Sequence, residues 1–127
     1  MFEDPQGPIE RFEWGRFQIE GTVHTEDGEG VGKDICILHG EVLPWEARHG
    51  HRLKPAMLEI VLDEDIDVLV IGAGVYGRIK VPIRTIKAAE DAGIGRVIIE
   101  KSEDACEAYN ALAQAGEKVA LLAHGTC

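Results

Sequence analysis

The sequence of 127 residues contains no apolar run that approaches the roughly 20 residues a helix needs to cross a bilayer. A basic and then apolar leader is also missing, because the chain begins with the acidic stretch MFEDPQGPIE. The three cysteines are odd in number, widely spaced and form no Cys-x-x-Cys pair, so the sequence indicates neither a disulfide framework nor a zinc knuckle. We therefore expect a cytoplasmic protein with no membrane partner.

Positive charge is scarce and unevenly placed. The chain has 13 Lys and Arg against 23 Asp and Glu, and its net charge of −10 argues against nucleic acid as a partner, since nucleic acid requires a basic surface. However, the segments 47–58 and 68–89 contain no acidic residue and hold more than half of the basic ones. They predict either two solvated surfaces or an anion-binding patch.

Several catalytic and metal-binding patterns are absent. The chain contains no Gly-x-Ser-x-Gly motif and no pair of carboxylates typical of glycosidases. The acidic run DEDID at 63–67 lacks the glycine and the distal glutamate of a calcium loop. We therefore predict no cofactor, no metal and no catalytic residue.

The N-terminal part of the chain predicts β-structure. The stretch RFEWGRFQIEG alternates with period two, which places Phe12, Trp14, Phe17 and Ile19 on apolar faces with a break at Gly15. The stretch DICILHGEVLPW shows a second such pattern after a loop rich in glycine and acid. These two patterns predict an antiparallel β unit in the N-terminal part of the chain.

From residue 67 onward, predicted strands alternate with predicted helices. VLVIG, RVIIE and KVALLAH predict strands, and the continuous apolar run of VLVIG is typical of a parallel strand buried on both faces. The helix between the first two begins at Pro82 with Ile83, Ile86 and Ala89 facing inward, and the next has Ser102 as its N-cap. We predict a single α/β domain over residues 1–127, in three layers, with a parallel β-α-β-α-β sheet core.

The predicted site lies where the parallel strands end, because ligands of such sheets bind beyond the carboxyl ends of the strands. Exposed amides of a glycine-rich turn beside an arginine would suit a carboxylate or a phosphate. A tight turn without a ligand explains the same glycines equally well. The candidate ligand-binding residues at this edge are Gly72, Ala73, Gly74, Tyr76, Arg78, Ser102, His124 and Thr126.

The spacing Gly72-x-Gly74-x-x-Gly77 after a strand resembles a dinucleotide-binding turn, and Glu100 stands at the end of the next strand as that motif requires. In such a motif, however, the helix begins within the glycines. Here Pro82 is predicted to open the helix eight residues after Gly74. A nucleotide-binding metabolic enzyme therefore remains an alternative and not the preferred function.

Residues near the end of the sequence include candidates for metal binding and for nucleophilic catalysis. His124 and Cys127, with His49 and His51 on a loop, offer the groups for a metal set or for a cysteine nucleophile with a histidine base. Both functions need at least three groups in a defined geometry, and the sequence places only two together. The sequence leaves open whether His49 or His51 approaches His124.

Larger sequence pieces resemble a known family. VLVIGAGVYGRIKVP, the Tyr-Asn-Ala-Leu of the last helix and the closing His-x-Thr-Cys are similar to the Mth-domain family, which includes an adipogenesis-associated protein and related mitochondrial complex I assembly factors. The resemblance covers nearly the whole chain, from FEWGRFQIEG onward. It implies a compact α/β domain with an added β layer, no established enzymatic activity, and a role in assembly or regulation.

Three functions follow from these observations. The first is a non-enzymatic binding or assembly module that holds a small anion or the acidic tail of a protein partner at the strand ends. The second is the nucleotide-binding enzyme. The third is a scaffold without a small ligand, in which Trp14, Phe17 and Trp45 form an exposed apolar patch for a partner or for a second copy of the chain. The sequence favours the non-enzymatic module.

Overall fold

The computed structural model describes all residues from 1 to 127. A 3-10 turn at Pro55–Leu58 leads into the short helix α1 (Glu59–Leu62), and the longer helices are α2 (Ile83–Asp91) and α3 (Ser102–Gln114). None of these helices has the length and apolar character to cross a membrane. The strands are β1 (Phe2–Glu3), β2 (Ile9–Glu13), β3 (Arg16–Ile19), β4 (Thr22–Thr25), β5 (Asp34–Leu38), β6 (Glu41–Pro44), β7 (Val68–Gly72), β8 (Arg96–Glu100) and β9 (Val119–His124).

The strands form two sheets. β1 to β4 make an antiparallel sheet in sequence order, and the other five strands lie in the order β6-β5-β9-β7-β8. β9, β7 and β8 are parallel, which confirms the predicted β-α-β-α-β core. The β5–β6 hairpin extends that core, because β5 pairs antiparallel with β9. The larger sheet is therefore mixed, and the second N-terminal β stretch belongs to it.

The first sheet is organised by an aromatic pair. Phe12 on β2 lies opposite Phe17 on β3, and their ring centroids are 4.6 Å apart. The turn between these strands contains Gly15, whose φ of +68° suits a residue without a side chain. Trp14 occupies the same turn and is 48% exposed, because it lies beyond the end of the alternating strand.

Both faces of the five-stranded sheet are covered. The first sheet and α3 cover one face, while the 3-10 turn, α1 and α2 cover the other. Phe17 belongs to the first core and Trp45 to the second, where the Trp45 indole donates a hydrogen bond to the Met57 carbonyl at 2.8 Å. The expected exposed patch of Trp14, Phe17 and Trp45 is therefore wrong, since only Trp14 reaches solvent.

Two helix details differ from expectation. Ile83 is 83% exposed and not inward, because the Thr85 hydroxyl donates to the Leu53 carbonyl at 2.7 Å and turns that side of α2 toward the core. Ser102 is the first residue of α3 and not its N-cap, which is Lys101. The Ser102 hydroxyl instead forms hydrogen bonds at the carboxyl ends of the parallel strands.

Candidate functional site at the strand ends

The structure brings the eight predicted site residues to one edge, but it buries most of them. The exposed members are Tyr76 and Arg78. The buried members are Gly72, Ala73, Gly74, Ser102, His124 and Thr126. A ligand that approaches this edge would meet the two exposed side chains first. Binding by the eight residues stays a prediction.

The chain itself uses the amides of the glycine turn. The Gly74 N–H donates to the Ser102 hydroxyl oxygen at 3.0 Å, and the Val75 N–H donates to the Thr126 carbonyl at 2.6 Å. The Arg78 N–H lies 3.4 Å from the carbonyl of Cys127, to which it donates. The amides of Val75 and Arg78 therefore hold Thr126 and Cys127 in place, and the amide of Gly74 is satisfied by Ser102.

Gly74 is required by a close approach of the backbone. Its φ is +97°, and a Cβ built on it would lie 2.4 Å from the carbonyl carbon of Cys127. Gly77 also has a positive φ, of +67°, and the aliphatic part of Lys101 passes 3.3 Å from the position of its Cβ. Turn geometry and internal packing thus explain the glycine spacing without a pyrophosphate.

Ser102 ties three segments together. Besides accepting from Gly74, its hydroxyl donates to the His124 carbonyl at 2.6 Å. This pair of bonds satisfies a fully buried hydroxyl and fixes the end of β9 against the glycine turn.

A partly buried ion pair between Asp34 and Arg48 holds the imidazole of His124. The Nδ1 of His124 lies 2.6 Å from Oδ1 of Asp34, and the guanidinium Nε of Arg48 lies 3.1 Å from the other carboxylate oxygen. Burial by itself would raise the pKa of Asp34, but the hydrogen bond with His124 and the charge of Arg48 outweigh it and lower that pKa. Asp34 is therefore an anion that orients a histidine only 2% exposed.

Cys127 lies between two imidazoles. Its Sγ is 3.4 Å from Nε2 of His51 and 3.9 Å from Nε2 of His124, which also contacts the Thr126 hydroxyl at 3.2 Å. His49 hydrogen bonds to the Ala47 carbonyl within its own loop. His51 and His124 therefore both contact the thiol of Cys127.

Metal coordination has no support in this arrangement. The structure places no group of three or more His, Cys, Asp or Glu side chains where they could hold a metal ion.

The two basic segments found in the sequence meet beside this edge. Lys80 donates its N–H to the His51 carbonyl and accepts from the Leu53 N–H, both at 2.8 Å. Lys87 in this region pairs with Asp91 at 3.4 Å, and the other exposed cations of the region form no ion pair with an acidic side chain. We call this region the basic surface, and its residues are Arg52, Lys54, Arg78, Lys80, Arg84 and Lys101.

An exposed aromatic pair borders the basic surface. The rings of Trp14 and Tyr76 are 5.7 Å apart, and the guanidinium carbon of Arg78 lies 5.8 Å from the centre of the Tyr76 ring. Tyr76 is 61% exposed. The turn that carries Trp14 is fixed here because the Gly15 N–H donates to the Gly125 carbonyl at 2.7 Å.

No concavity lies among the predicted site residues. The surface depressions of the structure are lined by other parts of the chain. One of them, with a volume of about 390 Å³, lies near the start of β9 and includes His39, Asp65 and Tyr109. It is therefore at the opposite end of the parallel strands.

The sequence could not identify every member of the His124 cluster. Asp34 and Arg48 were not candidates, although Asp34 begins a strand and Arg48 lies in a basic segment. No spacing signal connects them with His124, because Asp34 is 90 residues away along the chain. The antiparallel pairing of β5 with β9 brings them together.

Comparison with known proteins identifies relatives of the whole fold. The family described as "Protein of unknown function (DUF498/DUF598)" matches residues 9–124. A conserved hypothetical protein from Pyrococcus horikoshii OT3 is 26% identical, with a TM-score of 0.75 over 94% of this chain and 98% of its own. A structure described as an outer membrane protein from Bartonella henselae is 19% identical, with a TM-score of 0.77 over 95% and 96%.

A third structure supports the resemblance found in the sequence. It is a Mth938-like domain from Bordetella pertussis, which is 16% identical, with a TM-score of 0.57 over 98% of this chain and 91% of its own. Together with the family match, it confirms the predicted resemblance to the Mth-domain proteins.

Proposed function

The chain belongs to the DUF498/DUF598 family of proteins of unknown function, and we propose that it is a non-enzymatic binding module that takes an acidic segment of a protein partner at the strand-end edge. The observation that carries this proposal is the exposed trio of Trp14, Tyr76 and Arg78 beside the basic surface.

The trio has the composition of a binding hot spot. Trp, Tyr and Arg are the residues most enriched among side chains that dominate protein interfaces. Trp14 and Tyr76 leave much of their apolar surface in water, and their mutual contact, with the ring planes tilted by 51°, reduces the side-chain freedom that would be lost on binding. An apolar side chain of a partner would therefore gain contact area here.

The charge on the Arg78 side of the trio favours an acidic partner, while Glu26 lies beside the turn that carries Trp14. The cations of the basic surface have no acidic partners within the chain, whereas the chain as a whole carries a net charge of −10. An acidic segment would be attracted to this surface and repelled from the rest of the molecule. The same repulsion disfavours a long polyanion such as nucleic acid.

A flat surface also favours a protein segment over a nucleotide. Small-molecule sites are concave, and the concavities of this structure lie elsewhere. A pyrophosphate would need free amides in the glycine turn, but Gly74, Val75 and Arg78 donate to the chain's own acceptors. The nucleotide-binding enzyme therefore has less support than the binding module.

The test is an amide and indole NMR titration of the whole chain with a synthetic peptide of Glu and Leu residues, and in parallel with inorganic phosphate, ATP and NADH. We expect saturable shifts at Trp14 and Tyr76 with the peptide, weakened by added salt. Arg78→Glu should abolish them. Arg96→Glu is the matched control, because Arg96 is exposed at the opposite end of β8.

Two results would contradict the proposal. One is the absence of shifts at the aromatic pair with the peptide. The other is tighter binding of ATP or NADH with shifts centred on Gly72 and Gly74, which would favour the nucleotide alternative. Equal loss of peptide binding in the Arg78 and Arg96 variants would show that only net charge matters.

A further inference from the structure

Cys127 differs from the other two cysteines in its surroundings. It is partly exposed, while Cys36 and Cys106 are buried. Burial, assisted by nearby carboxylates, raises the pKa of both buried thiols, that of Cys36 to about 12. Those two side chains are therefore structural, since the thiolate is the reactive form of cysteine.

The two histidines beside Cys127 are placed differently. Nε2 of His51 comes within 3.4 Å of the sulfur from an exposed loop. His124 is farther, at 3.9 Å, but its ring is fixed because Nδ1 is engaged by the Asp34 carboxylate at 2.6 Å. A carboxylate that accepts the Nδ1 proton leaves Nε2 as the accepting nitrogen of the ring, and this nitrogen faces both the Thr126 hydroxyl and the thiol.

We propose that Cys127 is a nucleophilic thiol that undergoes exchange with small disulfides, assisted by His51 and His124. The proton of the Cys127 thiol passes to an imidazole Nε2. The thiolate then attacks one sulfur of the disulfide, so that a bond forms between the two sulfurs as the original disulfide bond breaks. The departing thiolate takes up the proton from the imidazole, which leaves a mixed disulfide and one free thiol.

The charged groups around the sulfur support this chemistry. They are Asp34 on β5, Arg48 and His51 on the loop after β6, and His124 on β9. The Asp34 carboxylate in this cluster is paired with both Arg48 and His124. From the loop after β7, the backbone N–H of Arg78 donates to the Cys127 carbonyl. The proposal is independent of partner binding at the basic surface.

The first measurement is the rate of iodoacetamide alkylation at pH 7 on the whole chain, with each cysteine resolved by mass spectrometry. We expect Cys127 to react about tenfold faster in the folded chain than in the same chain unfolded in urea, because Nε2 of His51 lies 3.4 Å from the sulfur, where it can take up the thiol proton. Cys36 and Cys106 are internal controls, which should react only after unfolding. Equal rates for Cys127 in the folded and unfolded chain would overturn the proposal.

The second measurement separates a chemical role from a structural one. His51→Gln should slow alkylation several-fold at pH 7 and less at pH 9, whereas His49→Gln on the same loop should change nothing. Both positions are exposed, so the fold should survive. Incubation with oxidised glutathione should give a glutathionyl adduct on Cys127, formed more slowly in His51→Gln. An adduct that forms equally fast in both variants, or on another cysteine, would refute the assignment.

Discussion

Gly74 offers a sharp test of how residues 124–127 are held. Gly74→Ala would place a methyl group 2.4 Å from the carbonyl carbon of Cys127, at a φ of +97°. Gly93→Ala is a matched control, because Gly93 has a φ of +99° and nothing lies within 4 Å of its added Cβ. The two substitutions share the backbone strain, and only the first adds a collision.

The expected magnitudes follow from these two effects. An alanine forced into a left-handed conformation costs about 1 to 2 kcal/mol, which applies to both variants. Forcing an extra methyl group into a packed region costs about 1 to 3 kcal/mol more, and this applies only at Gly74. We therefore expect Gly74→Ala to lower the free energy of unfolding by about 2 to 5 kcal/mol.

Urea denaturation followed by circular dichroism measures both free energies of unfolding. The alkylation rate of Cys127 in folded Gly74→Ala provides a second readout, because the methyl group must displace this residue from its imidazoles. If the free energies of unfolding of Gly74→Ala and Gly93→Ala agree within about 0.5 kcal/mol, the close packing of residues 124–127 against the turn is refuted.

Two further predictions concern buried polar groups. Asp34 has a lowered pKa because its imidazole and guanidinium partners outweigh burial, so its contribution to stability is present above about pH 4 and is lost as the pH falls further. Asp34→Asn should therefore lower the Tm at pH 7. The difference in Tm between the unchanged chain and the variant should become smaller below about pH 4, and a difference that stays constant with pH would contradict this. Asn110 accepts from the N–H of Ile9 at 2.9 Å and donates to its carbonyl at 2.8 Å, so Asn110→Ala should cost about 1 to 3 kcal/mol in urea denaturation. A cost near zero would show that water replaces the amide.

Local patterns predicted the parallel core well. The apolar runs identified β7, β8 and β9, and Pro82 marked the start of α2, because strand patterns and proline act within a few residues. Ile83 was predicted to face inward from helical spacing alone. The hydrogen bond of Thr85 to a distant segment decided otherwise.

The chemistry of the site could be predicted only in part. The sequence correctly placed His124 and Cys127 at a strand end, yet it could not tell which loop histidine would approach them. That choice depends on the pairing of residues 51–53 with Lys80 and on the position of β5, both of which are contacts between segments far apart in sequence. Periodicity contains no information about such contacts.

The strand order β6-β5-β9-β7-β8 has a consequence for synthesis on the ribosome. β9 joins the β5–β6 hairpin to the β7–β8 pair, although its residues 119–124 are translated after all the other strands. Until β9 emerges, β5 and β7 each expose an unpaired and strongly apolar edge. Such edges are templates for misassociation, so the nascent chain is most prone to it before β9 has been made and has paired with β5 and β7.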